Sequence, residues 1–221
     1  MSCDLLLLDC DGVIVDSEPP STRVLAECIR ELGYEISQER VIRELMGIRL
    51  PDMADAVSSL IGRPVPEGFL EGFREKRRRV FETEIRPMRG IVELLDAVDR
   101  AGLPYCCVTN GPPEKAAQTL RVAGLAERFA EKNGLPRLAS AYDLGVFKPD
   151  PGPYLWAAER YGIAPERCVV VEDTPIGATA GVAAGMRTLG YADLLPPERF
   201  EAVGAEVIGG LGEVIATLEL I

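Results

Sequence analysis

Leu5-Leu6-Leu7-Leu8-Asp9-Cys10-Asp11-Gly12-Val13 carries four consecutive leucines straight into two acids and a glycine. Four large aliphatic residues are too few for a helix, but they suit a strand buried on both faces of a parallel sheet, with a loop at its carboxyl end. Asp9 and Asp11 stand two residues apart, so in extended backbone they project to the same side. Two such carboxylates can approach one point, one holding a hard cation while the other acts as nucleophile or proton carrier. Gly12 permits the tight turn that follows. Asp-x-Asp alone is a weak signal, because surface loops contain it often. Its position directly behind an apolar run makes it informative.

Outward from this stretch, short apolar runs recur at 104–108, 168–171 and 187–189, with a further strand expected at about 135–139. Helical stretches at about 90–102, 112–124, 151–162 and 175–186 separate them. Strand alternating with helix at this spacing reads as α/β, a doubly wound parallel sheet of the Rossmann kind. The segment from Pro19 to Arg86 breaks the alternation. Its Val24, Leu25, Cys28, Ile29 and Leu32 fall on one helical face. Further helices are expected at about 37–46, 51–61 and 66–83, punctuated by Gly47, Pro51, Gly62 and Pro64. The expected organisation is an α/β core over 1–16 and 88–221, interrupted by an all-helical insertion over 17–87 that packs over the edge where the strands end. No internal repeat or low-complexity segment is visible.

At 221 residues the chain has room for one large domain or two modest ones, and its 47% apolar and 27% charged content is that of an ordinary folded protein. A net charge of −11 disfavours nucleic acid and anionic membrane as partners. The chain has no histidine, which excludes Ser-His and Cys-His triads, phosphohistidine chemistry and His-ligated zinc. Oxygen ligands around a hard cation remain. Among the six cysteines no Cys-x-x-Cys pair occurs, so buried thiols are the better reading. Leu5 to Leu8 is neither a signal peptide nor a membrane span, and the expected location is cytoplasmic.

Three later strand ends carry chemistry-bearing residues. Thr109-Asn110-Gly111 offers a hydroxyl and an amide beside a helix start, either as phosphate donors or as a plain helix cap. Lys148-Pro149-Asp150-Pro151 offers a cation on restrained backbone, or simply a surface lysine before a helix that Asp150 caps. Glu172-Asp173 places two acids after a buried strand, which is costly unless a cation or hydrogen bonds meet them. Gly177, Gly181 and Gly185 follow in the next helix.

The stretch Asp9-Cys10-Asp11-Gly12-Val13-Ile14-Val15-Asp16-Ser17-Glu18 resembles the first motif of the haloacid dehalogenase superfamily, in its phosphatase branch. Thr109, Lys148 and Glu172-Asp173 supply its remaining motifs in order, so the resemblance covers nearly the whole chain. It implies that Asp9 attacks phosphorus to give an aspartyl-phosphate, while Asp11 protonates the leaving alkoxide and later activates water. It implies Mg²⁺ held by Asp9, the Asp11 backbone carbonyl and Asp173, with Glu172 as a further candidate. Lys148 would neutralise charge beside the metal, and Thr109 and Asn110 would bind phosphoryl oxygens. The family's dehalogenases lack the second acid, so Asp11 points away from carbon–halogen cleavage.

The helical insertion then corresponds to the family's cap, hinged at Asp16–Pro20 and near Arg86–Gly90. Its loop Gly47-Ile48-Arg49 offers Arg49 to a distal carboxylate or second phosphate, or else a merely exposed arginine. The run Arg74, Lys76, Arg77, Arg78 and Arg79 covers all helix faces and reads mainly as a solvated surface, with attraction of an anionic substrate as the lesser reading. Val108-Thr109-Asn110-Gly111-Pro112-Pro113 looks most like the 6-phosphogluconate and sugar-phosphate phosphatases, although Lys132-Asn133-Gly134 is unusually polar before a strand. The expected partner is therefore a small phosphomonoester, for a monomer or weak homodimer. β-Phosphoglucomutase shares these features as an alternative. A receiver-type phospho-acceptor module also combines acids, Thr and Lys, but in about 120 residues without a cap.

Overall fold

The computed structural model describes residues 3–220. They divide into two compact units, one comprising residues up to Asp16 and from Arg86 onward, the other Ser17–Ile85. In chain order the first unit contains β1 (Leu5–Leu8), and the second contains α1 (Glu18–Glu31), α2 (Gln38–Leu45), α3 (Leu50–Ile61) and α4 (Phe69–Glu84). The first unit then resumes with α5 (Ile91–Arg100), β2 (Tyr105–Thr109), α6 (Pro113–Val122), β3 (Leu138–Ser140), α7 (Ala141–Leu144) and α8 (Gly152–Tyr161). It ends with β4 (Cys168–Glu172), α9 (Pro175–Ala183), β5 (Arg187–Tyr191), α10 (Glu198–Glu201), β6 (Glu206–Ile208) and α11 (Leu211–Thr217).

The six strands form one sheet in the order β3-β2-β1-β4-β5-β6, every pair parallel. This is the doubly wound Rossmann order, in which ligands bind outside the carboxyl ends where the strand order reverses. That point is the end of β1. The four leucines of β1 are completely buried, as a central strand covered on both faces requires. Leu5 and Leu7 pack with Cys106, Val108 and Val170 against Tyr154, Ala157 and Ala158 of α8 and Ala180 of α9.

Register sets the site. Leu8 lies opposite Cys107 of β2 and Val171 of β4, so the next residue of each strand brings Asp9, Val108 and Glu172 to one level. The Asp9 N–H donates to the Val171 carbonyl at 3.0 Å, continuing the ladder one residue beyond β1.

The helical unit buries its own core. Val24, Leu25, Cys28 and Ile29 of α1 pack with Val41 and Leu45 of α2, Met53 and Val57 of α3, and Phe69 and Phe73 of α4. Ser37 caps α2 by accepting from the Arg40 N–H, and Gly62 closes α3 in the left-handed conformation, at φ 73°. Four residues of the basic run of α4 are engaged within the unit. Lys76 pairs with Glu31, Arg78 with Glu75 and Glu82, Arg79 with Glu75, and Arg77 lies over the rings of Phe73 and Phe81.

Two boundaries differ from the sequence expectation. Arg86 and Pro87 belong with the sheet unit, because the Asp16 N–H donates to the Arg86 carbonyl at 3.0 Å and Val15 bridges to Pro87. The third strand starts at Leu138, three residues later than expected. Lys132 and Leu135 exchange backbone hydrogen bonds around Asn133 and Gly134, at φ 56° and 75°. That is a two-residue primed turn, and it accounts for the polarity of Lys132-Asn133-Gly134. Each cysteine is a free thiol, and burial pushes Cys106 and Cys168 up to about 12, leaving both unreactive. No helix among the described residues is long and apolar enough to cross a membrane.

Candidate active site

Three carboxylates converge at the carboxyl ends of β1 and β4. Asp9, Glu172 and Asp173 offer oxygens that all lie within 4.8 Å of one another, and all three side chains are buried. Buried carboxylates this close repel unless cations or donors meet them. The first cation is Lys148, itself 2% exposed. Its Nζ donates to Asp9 Oδ1 at 2.5 Å, to Glu172 Oε1 at 2.6 Å and to the Val108 carbonyl at 2.7 Å. Burial alone would lower the Lys148 ammonium, but Asp9 and Glu172 outweigh it and hold it well above the ordinary lysine range. Burial pushes Asp9 up to about 7, with Lys148 opposing and Glu172 and Asp11 adding to the rise.

Local structure fixes each member. The β1 loop folds back on itself as Ile14 and Val15 donate to the Cys10 carbonyl and Gly12 donates to the Val15 carbonyl at 2.8 Å. Gly12 adopts φ 75°, and a Cβ there would stand 1.9 Å from Asp173 Oδ2, so glycine is required by both backbone and space. Glu172 is held from three sides. Besides Lys148, the Tyr154 hydroxyl donates to Oε1 at 2.7 Å and the Thr174 hydroxyl to Oε2 at 3.2 Å. Thr174 is also the N-cap of α9, accepting from the Gly177 N–H. The Asp150 carboxylate accepts from the Gly152 N–H at 2.7 Å, at the start of α8.

The sequence-selected residues separate into those brought together and those not. Asp9, Lys148, Glu172 and Asp173 form one cluster, with Asp11 beside it carrying a different cation, the Lys115 ammonium on its Oδ2. Thr109 ends β2, buried, and its hydroxyl oxygen accepts from the Gly111 N–H at 2.9 Å. Asn110 does not cap α6, whose first flanking residue is Pro112. Its side chain grips the backbone of Lys148 instead, Nδ2 donating to the carbonyl and Oδ1 accepting from the N–H. Arg49 lies in the other unit, where its Nε donates to Asp52 Oδ2 at 2.6 Å across the first turn of α3.

Sequence reasoning missed Tyr154, Thr174 and Lys115. Nothing in the sequence marks Tyr154, a helix residue among apolar neighbours. Lys115 did leave a signal, since a lysine in the first turn of a helix opposes the helix dipole.

As a donor set, the cluster suits a hard divalent cation. It offers oxygen ligands only, and the four acids Asp9, Asp11, Glu172 and Asp173 meet two ammoniums, leaving a formal charge of −2.

The chain matches the family model for haloacid dehalogenase-like hydrolases over residues 3–185. The chain belongs to that family. Among curated relatives of these hydrolases, the 6-phosphogluconate phosphatase of Escherichia coli K12 is 31% identical over 184 residues, covering 83% of this chain and 80% of that protein. Hexitol phosphatase A of the same organism is 32% identical over 196 residues, covering 86% and 83%. A haloacid dehalogenase-like protein of unknown function from Agrobacterium tumefaciens superposes with a TM-score of 0.85 at 31% identity, covering 99% of this chain and 100% of that one.

Proposed function

We propose that this phosphatase hydrolyses a small sugar phosphate, of the 6-phosphogluconate kind, through an aspartyl-phosphate on Asp9. The observation that carries the reading is the Lys148 ammonium shared between Asp9 and Glu172 inside a buried three-acid cluster. A carboxylate is a poor nucleophile toward a phosphate dianion unless nearby positive charge neutralises the phosphoryl oxygens. Lys148 supplies one fixed charge. Mg²⁺, held by Asp9, Asp173 and the Asp11 backbone carbonyl, with Glu172 turned mainly to Lys148 and Tyr154, would supply the remaining neutralisation when bound.

In this reading an Asp9 oxygen attacks phosphorus as the bond to the sugar oxygen breaks, and Asp11 gives that oxygen its proton. Water then attacks phosphorus while Asp11 takes a proton from it, the acyl-phosphate bond breaks, and inorganic phosphate leaves. Thr109 contacts the phosphoryl oxygens, and Asn110 acts by holding Lys148. The helical unit corresponds to the family's cap, and Arg49 is its candidate for contacting a distal anionic group of the substrate. Support for the sugar-phosphate class comes from the names of the two bacterial relatives, each about a third identical over most of the chain.

A panel of sugar phosphates assayed for phosphate release tests this. Turnover is expected with Mg²⁺ and to be lost with chelator or in Asp9→Asn. Release that needs a sugar bisphosphate activator would point to phosphoryl transfer between sugar positions instead.

A further inference from the structure

Lys115 has no part in the chemistry described above, yet it stands beside the reacting groups. Its ammonium is paired with Asp11 Oδ2, with 18% of each side chain exposed. The lysine sits in the first turn of α6, whose backbone is fixed by Pro112 and Pro113, and its N–H donates to the Pro112 carbonyl at 3.1 Å. That is an electrostatically poor place for a cation, since the N-terminus of a helix is already positive. Helix stability therefore does not account for Lys115; Asp11 does. The neighbouring backbone makes way for it as well. A Cβ at Gly111 would stand 3.3 Å from both Lys115 Cδ and Thr109 Oγ1, so the bare glycine leaves room for the lysine stem. The chain holds only four lysines, and two of them, Lys115 and Lys148, end at this site. Lys148 pairs with Asp9 and Glu172, and Lys115 with Asp11.

We propose that Lys115 is a positioning residue for Asp11, fixing the direction in which its carboxyl group faces the leaving oxygen. The inference rests on the phosphatase reading above. Lys115 neither gives nor takes the proton: Asp11 takes one from solvent and passes it to the sugar oxygen as the phosphorus–oxygen bond breaks. Misaligning a proton donor harms only those substrates whose leaving group needs the proton. A sugar alkoxide is strongly basic and needs it, whereas p-nitrophenolate leaves readily without it.

The test compares kcat/KM for glucose 6-phosphate and p-nitrophenyl phosphate in wild type, Lys115→Gln and Lys115→Arg, with Mg²⁺ present. This constant covers only the steps up to release of the alcohol, so the later water attack does not enter. In Lys115→Gln the sugar-phosphate value is expected to fall on the order of tenfold further than the aryl-phosphate value, with Arg restoring part of the ratio. Lys115→Met answers the same question should the glutamine variant fail to fold. Equal loss on both substrates, with an active wild type, overturns the inference and makes Lys115 a phosphate ligand or a structural residue. An unchanged ratio overturns it too. A wild type that releases phosphate from neither substrate overturns the phosphatase reading, and this inference with it.

Discussion

Asn110 and Lys148 exchange two hydrogen bonds, Asn110 Nδ2 to the Lys148 carbonyl at 3.1 Å and the Lys148 N–H to Asn110 Oδ1 at 2.9 Å. The pairing ties the end of β2 to the loop that delivers the lysine, across 38 positions of sequence. Asn110→Leu is nearly the same size but can make neither bond. The lysine backbone then loses its tether, and a displacement of about 1 Å in a charge-stabilising group can cost about 10²-fold in rate. The expected result is a fall in kcat of roughly 10- to 100-fold with a smaller change in KM, read by steady-state kinetics on the best sugar phosphate. A rise in KM with kcat unchanged would instead assign Asn110 to direct substrate contact.

Removing the lysine itself has a larger structural cost. Lys148→Ala strips the shared cation from Asp9 and Glu172, leaving two buried carboxylates facing one another. Breaking a buried ion pair on one side costs about 3–5 kcal/mol. Thermal unfolding in chelator should show that loss, and saturating Mg²⁺ should recover part of it without restoring turnover. Full recovery of activity would remove Lys148 from the chemistry.

The metal role proposed for Asp9 ties cation binding to pH. Burial, reinforced by Glu172 and Asp11 and opposed by Lys148, raises its pKa from 3.8 to about 7 in the metal-free protein. An acid with a raised folded-state value favours folding while protonated. Its contribution is complete below its unfolded value near 4 and is lost as pH rises through about 7. A metal ligand must be ionised, so each cation bound in that window expels the proton. Mg²⁺ affinity is therefore expected to tighten between pH 5 and pH 7.5, approaching tenfold per unit on the acid side. Titration calorimetry in buffers of different protonation enthalpy reads the released proton directly. An affinity that stays flat across this range would show Asp9 to be ionised before the metal arrives.

How much of this was readable depended on the range of the interaction. Leu5–Leu8 and Cys168–Val171 announced themselves because a strand buried on both faces needs an unbroken apolar run. The acids at their ends were legible for the same reason, standing where such a run stops. β6, Glu206–Ile208, left no such mark: it is a short edge strand whose first residue is exposed, so no apolar run was needed. Partners distant in sequence were least legible. That Tyr154 meets Glu172, or Asn110 grips Lys148, follows from strand register and helix packing, which no local spacing records.

One substitution made in two helices separates the site from the scaffold. Gly177 lies in the first turn of α9, and a Cβ there would stand 1.8 Å from Glu172 Oε1 and 2.0 Å from Cδ. Glu172 cannot move aside without leaving Lys148, Tyr154 or Thr174. Gly177→Ala is therefore expected to destabilise by about 1–3 kcal/mol, as overpacking does, and to lower kcat by more than tenfold, as order-of-magnitude figures. Gly72 is exposed inside α4 and has nothing within 4 Å of the position a Cβ would take. Gly72→Ala should stabilise by about 0.5–1 kcal/mol, because alanine gives up less backbone freedom in a helix. Paired denaturant titrations, with kinetics on the same samples, read both signs. A harmless Gly177→Ala would mean that Glu172 has room to shift and is not held in place by its partners.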